Sequence, residues 1–330
     1  MRWMRAGDRA GSGLGLLLLD AGALERLVPF GDAIGALEGA LASGRAPGDH
    51  PPRSSVPAGR GELLLMPAGD GVAVGVKLVT VAPDTPDRTR PRIQGVYVYF
   101  DAATLAPVAL LDGVALTSLR TPAVSAVATA RLAVADARTL VVFGAGPQAW
   151  GHVLAMRAVR PVERVRVVAR SRPSAERLAE RARGLGLDAA PATPAAVAAA
   201  DVVCTCTTST EPVFEGRLLA PHAHVNAVGS HRPDARELDD DAVRGAAVVV
   251  ETRRAALAEA GDLLLPLRAG VIGEDAVVAD LGELVRGTVR VDPGRRTVFK
   301  SVGMAFEDLV VAELAVARAR RAGLPAPPGR

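Results

Sequence analysis

Between an apolar run and a stretch that reads as helix, the chain places the turn Gly144-Ala145-Gly146-Pro147-Gln148-Ala149. Glycines in such a turn let a backbone approach a pyrophosphate, whose charge then rests against the amides and positive dipole end of the following helix. A glycine pattern alone is a weak signal, so its surroundings carry the inference. An apolar strand-like run occupies 139–143, a helical pattern follows, and a second strand-like run occupies 164–169. Gly144, Ala145, Gly146, Pro147, Gln148 and Ala149 are therefore candidate contacts for a dinucleotide cofactor. Where the second strand ends, an NAD-preferring site usually places an acid for the ribose hydroxyls, but here the chain reads Ala169-Arg170-Ser171-Arg172. A guanidinium matches a phosphate bidentately and a serine hydroxyl adds a donor. Arg170, Ser171 and Arg172 thus form a candidate 2′-phosphate pocket, which predicts NADP(H) as the preferred cofactor and NAD(H) as the alternative.

The elements that must position this turn follow from periodicity. Leu14 to Leu19 resembles a signal sequence until Asp20 cuts it short, and it reads as a first strand, with a helix over 32–42 behind it. A proline-rich stretch, 47–57, reads as a loop. Apolar runs at 61–67, 71–81, 94–101 and 107–112, separated by Gly, Pro and Asp, read as strands. An alanine-rich helix is expected over 117–135. Beyond it, strands at 139–143, 162–169, 201–205, 224–228 and 246–251 alternate with helical segments, the rhythm of a parallel doubly wound sheet. A long helix is expected over 304–322, returning to the N-terminal part. The fold class is α/β: a Rossmann doubly wound parallel sheet plus an N-terminal β-rich α+β domain completed by the C-terminal helix.

Composition bounds the function classes. The 330 residues suffice for two domains, and 49% hydrophobic residues with only 3% aromatics imply a core of Ala, Val and Leu. The 39 basic and 36 acidic residues are spread without a basic block, which argues against a nucleic-acid partner. No apolar run approaches the roughly 18 to 20 residues of a membrane span, so no membrane partner is expected and the cytoplasm is the default location. Cys204 and Cys206 alternate along a strand and read as packing residues. His222 and His224 form a pair with no evident third ligand, so no metal site is expected.

Three separated segments resemble the ornithine cyclodeaminase/mu-crystallin family. They are Lys77-Leu-Val-Thr with Leu110-Leu-Asp-Gly-Val-Ala-Leu-Thr117-Ser-Leu-Arg120-Thr121-Pro-Ala-Val-Ser125, then Gly144-Ala-Gly-Pro-Gln148-Ala149, then Val225-Asn226-Ala-Val-Gly229-Ser-His-Arg-Pro233-Asp-Ala-Arg-Glu237 with Thr297-Val-Phe-Lys300-Ser301-Val-Gly303-Met-Ala-Phe-Glu307-Asp308. The resemblance implies a homodimer joined through the N-terminal β domain, with the active site between that domain and the Rossmann domain. It divides the chain into a tail (1–13), a substrate and dimerisation domain (14–120 plus 304–330) and a cofactor domain (121–303). It also implies that Arg53, Lys77 and Arg120 hold a substrate carboxylate. Elementary energetics points the same way for Lys77 and Arg120, because a cation in an apolar strand or an alanine-rich helix start is costly to bury without an anion. Thr121, Thr205, Thr207, Val228 and Lys300 match cofactor-contact positions. Glu307 and Asp308 read as favourable charges at the positive end of the last helix.

Departures from the family pattern narrow the chemistry. Family members that cyclise ornithine carry an acid where Leu64 stands, with Glu62 two residues away on the same strand face, and an aspartate where His231 stands. Losing both disfavours ammonia-eliminating cyclisation and favours the branch similar to ketimine reductases, which reduce cyclic 2-imino acids such as Δ1-pyrroline-2-carboxylate or Δ1-piperideine-2-carboxylate. In that reading Lys77 and His231 are the catalytic candidates. Lys77 polarises or protonates the imine, and His231, with an unperturbed pKa of about 6.5, is a candidate proton donor. The alternatives are an ornithine or lysine cyclodeaminase, an amino-acid dehydrogenase, and a non-catalytic carrier of NADPH and small ligands.

Overall fold

The computed structural model describes residues 16–45, 50–82 and 92–324, so the expected tail 1–13 lies outside the described residues. Two sheets organise them. The first contains β1 (Leu17–Leu19), β2 (Ser54–Ala58), β3 (Gly61–Gly69), β4 (Val74–Val81), β5 (Ile93–Phe100) and β6 (Pro107–Asp112), in the order β1-β6-β5-β4-β3-β2. Its pairings are antiparallel except β1 with β6. After β1's short run come α1 (Ala21–Leu27) and α2 (Phe30–Ala42), and α3 (Gly113–Leu132) leads out of β6. The second sheet is parallel throughout, with β7 (Thr139–Phe143), β8 (Arg164–Val168), β9 (Asp188–Pro191), β10 (Val202–Thr205), β11 (His224–Ala227), β12 (Ala247–Val250), β13 (Val277–Asp280) and β14 (Thr297–Lys300) in the order β13-β12-β14-β11-β10-β7-β8-β9. Helices α4 (Pro147–Val159), α5 (Arg172–Arg183), α6 (Asp240–Val243), α7 (Arg253–Glu259), α8 (Gly261–Arg268) and α9 (Leu281–Arg286) connect its strands, and α10 (Ala305–Arg321) packs back on α2, α3, β3 and β4.

Several expectations needed correcting, each for a local reason. The proline-rich stretch is not all loop, because β2 pairs with β3 at the sheet edge. All five of its residues are exposed, and an edge strand tolerates Pro57 without losing a ladder bond. The strand expected from residue 71 starts at Val74, because Asp70 accepts from the Val72 and Ala73 amides and holds 70–73 in a turn. α3 starts four residues earlier than expected because Asp112 caps it, accepting from the Val114 and Ala115 amides at 2.9 Å each. The domain division expected at 120/121 falls inside this one continuous helix. Its Pro122 cannot donate to the Ser118 carbonyl, and Gly151 of α4 packs there; a Cβ at Gly151 would lie 2.6 Å from Pro122 Cγ and 3.0 Å from that oxygen. The two helices are thereby held at close approach.

Alternation in the first sheet sends Leu64, Met66, Lys77 and Tyr97 to the covered face. The other face carries Leu63, Leu65, Val76, Leu78, Val98 and Leu110, all half-buried. Among the described residues no helix is long and apolar enough to cross a membrane.

Candidate active site

β7 and β10 are paired neighbours within the parallel sheet at the point where the strand order reverses, and the glycine turn sits at the carboxyl end of β7. The Gly144 amide donates to the Val168 carbonyl (2.8 Å), fastening the turn to β8. Gly144 has φ +109°, and a Cβ there would stand 2.7 Å from the Cys206 carbonyl oxygen, so both conformation and space require glycine. Gly146 caps α4 with no side-chain hydrogen bond, Pro147 opens the helix, and a Cβ at Gly146 would meet nothing within 4 Å. Open space over free helix-end amides fits a pyrophosphate. Ala145 is half-exposed, Ala149 is buried, and Gln148 Nε2 donates to the Thr117 carbonyl (3.2 Å), tying α4 to α3. At the end of β8, Arg170, Ser171 and Arg172 are all exposed, Ser171 caps α5, and neither arginine is in an ion pair among the described residues.

Lys77, Arg120 and Arg53 converge on the start of α10. Lys77 projects from the covered face of β4, 2% exposed. Its Nζ donates to Asp308 Oδ1 (2.9 Å) and Thr117 Oγ1 (3.1 Å) and lies 2.7 Å from Asp308 Oδ2. Arg120 on α3 donates from Nε to Asp308 Oδ1 (3.1 Å) and from Nη1 to Glu307 Oε2 (2.6 Å). Arg53, just before β2, donates from Nη2 to the Val302 and Gly303 carbonyls (2.6 and 2.8 Å) and pairs with Glu259 of α7 at 2.9 Å. Glu307 and Asp308 are thus not merely dipole charges: they are 2% and 0% exposed, Asp308 is the buried anion shared by the two cations, and Glu307 is a second buried carboxyl that accepts from Arg120. Between Arg53, Glu259 and Gly303 lies a cavity of 230 Å³ that also touches Met66 and Arg254.

Burial pulls the Lys77 ammonium down most strongly; Asp308 resists and Arg120 adds to the fall, leaving its pKa at about 8. Such a group is charged at neutral pH yet gives up its proton far more readily than a free lysine. Burial also works against the Arg120 charge, but Asp308, Glu307 and Glu251 outweigh it and hold the guanidinium cationic.

The other candidates divide. Thr121 is buried beside Arg120 in α3. The Thr205 and Thr207 hydroxyls donate to Glu237 (2.8 and 2.7 Å), so any cofactor contact at these residues falls chiefly to their backbone. The amides of Thr207 and Gly229 also donate to Glu237 (2.8 and 2.7 Å), which ties the ends of β10 and β11 together; the Val228 amide adds a bond to the Thr205 carbonyl. Lys300 is a buried support rather than an open contact. Its Nζ lies 2.7 Å from Asp262 Oδ2 and donates to the Ser230 carbonyl (2.6 Å). Glu237, Asp262, Glu251 and Glu259 escaped the sequence reading, because nothing local marks an acid whose partners come from distant strands.

His231 lies in a different environment from Lys77. Partial burial of its ring, then the positive charges of Arg53 and Lys300, push its pKa down to about 4, against a small opposing effect of Glu62. The residue as a whole is exposed, so the cationic neighbours are the part of this depression that does not depend on dryness. A neutral imidazole holds no spare proton at pH 7. His231→Ala is therefore expected to leave the shape of the kcat/KM profile between pH 6 and 8 unchanged, and a lost inflection near 6.5 would restore histidine as the donor. His222 pairs with Asp201 and His224 bonds Thr297 and Asn226, and among the described residues no cluster is arranged to hold a metal. Both cysteines are free, Cys204 buried and Cys206 half-buried.

A family model described as the ornithine cyclodeaminase/mu-crystallin family matches residues 17–323. The chain belongs to that family. Within the family, the ketimine reductase mu-crystallin of Mus musculus is 39% identical over 269 residues, covering 80% of this chain and 83% of the relative. A Delta(1)-pyrroline-2-carboxylate reductase of Bacillus thuringiensis subsp. konkukian is 38% identical over 284 residues, covering 83% and 87%. The solved structure of a family member from Thermococcus litoralis, a Delta(1)-pyrroline-2-carboxylate reductase in complex with NADH and L-proline, superposes with a TM-score of 0.87 at 34% identity, covering 93% of this chain and 98% of that one.

Gly303 shows how closely this family site is fitted. It has φ +80°, and a Cβ there would lie 2.8 Å from Arg120 Nη1. Gly303→Ala is expected to push the guanidinium aside and raise KM for a carboxylate substrate by about tenfold or more, the value of one charge-assisted contact, with kcat less affected. An unchanged KM would show that Arg120 does not read the substrate.

Proposed function

We propose that this protein reduces a cyclic 2-imino acid of the Δ1-pyrroline-2-carboxylate or Δ1-piperideine-2-carboxylate type to the cyclic amino acid, with NADPH as the preferred hydride source. The observation that carries the reading is the convergence of Lys77, Arg120 and Arg53 beside Gly303, with Lys77 poised as an acid near neutrality. When bound, the reduced nicotinamide supplies a hydride to C2 of the imine. This chain's residues do the rest. Arg120 and Arg53 orient the carboxylate, and Lys77 Nζ holds a proton for the imine nitrogen, so that one hydride and one proton together turn C=N into CH–NH. The glycine turn and the α4 amides would hold the pyrophosphate, and Glu237 ties together the β10 and β11 ends that would flank the cofactor.

The named activities of the mouse and Bacillus relatives support the reaction class. The test follows NADPH absorbance with each imine, using NADH, ornithine, and pyruvate plus ammonia as parallel substrates. Imine-dependent oxidation is the expected result. Ammonia release from ornithine or lysine without net NADPH consumption would replace the reading with a cyclodeaminase; ammonia-dependent oxidation with pyruvate would replace it with an amino-acid dehydrogenase.

The NADP preference rests on Arg170 and Arg172 flanking Ser171, both exposed and without an ion pair among the described residues. Arg170→Asp is expected to lower kcat/KM for NADPH by about tenfold or more while sparing NADH, because a charge-assisted phosphate contact becomes a repulsion. Equal loss with both cofactors would remove the phosphate pocket. A homodimer in the cytoplasm belongs to the same reading, with the half-buried apolar face of the first sheet as the surface a second copy would cover.

A further inference from the structure

Behind Arg120, the segment from Ser301 to Met304 brings two carboxyl groups together. Glu251, which follows β12, is 2% exposed and accepts from Ser301 Oγ (2.6 Å), the Val302 amide (2.9 Å) and the Gly303 amide (3.0 Å). Glu307, equally buried, takes Arg120 Nη1 (2.6 Å) and the Met304 amide (3.4 Å) on Oε2, so the two carboxyls accept from the consecutive amides of Gly303 and Met304 and lie side by side. Ionised carboxylates have no donor and repel one another, so two adjacent buried carboxyls do not both ionise. The location of the proton follows from the neighbours. Three donors already aim at Glu251, as suits an acceptor-only carboxylate. Both donors to Glu307 aim at Oε2, which leaves Oε1 for the proton.

We propose that Glu307 is a positioning residue that carries a proton donated to Glu251, and that this neutral carboxyl fixes Arg120 and keeps the carboxylate-reading site from turning net negative. The inference rests on the carboxylate-reading role proposed above for Arg120. The charges facing the pair come from every element around it: Arg120 of α3, Asp308 of α10, Lys77 of β4 and Arg53 of the loop before β2. With Glu307 neutral, the buried cations Lys77 and Arg120 balance Asp308 and Glu251, and Arg53, paired with Glu259, remains for the incoming anion. With Glu307 ionised, the cluster would carry an excess negative charge directly behind the guanidinium that must attract a carboxylate. Burial and the nearby Glu251 raise the Glu307 carboxyl well above its ordinary range, in keeping with a proton retained at neutral pH.

Glu307→Gln reproduces the protonated geometry, since its amide N–H can donate to Glu251 while its oxygen still accepts from Arg120. Glu251→Gln does not, because its amide N–H₂ would face the donors at Val302 and Gly303. The deciding measurement is the infrared difference spectrum of wild type minus Glu307→Gln at pH 7.5, in H₂O and D₂O, on the full-length protein. A deuterium-sensitive C=O stretch of a protonated carboxyl, present in wild type and missing in the variant, is the expected result. Its absence overturns the proposal whatever substrate the enzyme takes. In steady state, Glu307→Gln should keep KM for the imino acid within about threefold of wild type, whereas Glu307→Ala should raise it by about tenfold or more. A KM for Glu307→Gln as high as that of the alanine variant would overturn the positioning role even if the infrared band were found.

Discussion

Lys77→Met is expected to reduce kcat/KM for a cyclic imino acid by about two to four orders of magnitude, the span usually lost with a positioned general acid, while leaving NADPH binding within a small factor of wild type. Methionine keeps the length and apolar stem of the side chain in the covered face of the sheet, and Asp308 retains Arg120 as a partner, so the variant should still fold, with lower stability from the broken buried pair, and the loss of activity should appear in chemistry and carboxylate binding. The same lysine sets a pH signature in the unmodified enzyme. With a free-enzyme pKa of about 8, the protonated acid predominates below that value and is lost above it. The wild-type kcat/KM, corrected for the imine's own titration, should therefore be level up to about pH 8 and fall as pH rises beyond it. This follows because kcat/KM reports groups of the free enzyme. A Lys77→Met enzyme with the same alkaline fall would assign the inflection elsewhere.

Asp308→Asn should have the largest effect on stability. Asp308 is fully buried and is the shared anion of Lys77 and Arg120, so the isosteric amide leaves Lys77 without its carboxylate partner and Arg120 with Glu307 alone in direct contact. Breaking a buried ion pair at one partner costs about 3 to 5 kcal/mol, and the denaturant midpoint should fall accordingly with an unchanged slope. Activity should fall with it, because the attraction that resists the drop in the Lys77 pKa disappears and the lysine becomes neutral at working pH. A midpoint within the equivalent of about 1 kcal/mol of wild type would mean that the cluster is solvated rather than dry.

The strand and helix rhythm of the parallel sheet was legible in the sequence because buried parallel strands are continuous apolar runs; β7 falls on the expected five residues, Thr139–Phe143. Where side chains reset a boundary, as Asp112 and Asp70 do, periodicity misplaced it. The site was legible in half. Lys77 and Arg120 announced by position that each needs an anion, but Asp308 lies 231 residues from Lys77 in the chain, and next to a helix start it looks like any favourable first-turn acid. For His231 the residue type suggests a proton near neutrality, whereas the partial burial and the cations Arg53 and Lys300 that lower its pKa come from other parts of the fold. Contacts of that range are a property of the tertiary fold and leave no local pattern.

One rod, α3, has a consequence for how the enzyme opens. Its first half carries Thr117 and Arg120, Gln148 of α4 grips the Thr117 carbonyl, and the Pro122–Gly151 contact seats α4 against it without slack. The glycine turn at the head of α4 and the Arg120 guanidinium are therefore carried on one tightly packed pair of helices, which in the proposed reading keeps cofactor and acceptor aligned. Arg53 is mounted differently, on the loop before β2, and it reaches across to Glu259, Val302 and Gly303. In the proposed reading, aim is thus built in when the chain folds, and a substrate carboxylate would be admitted on the Arg53 side, where one guanidinium can exchange Glu259 for the incoming acid.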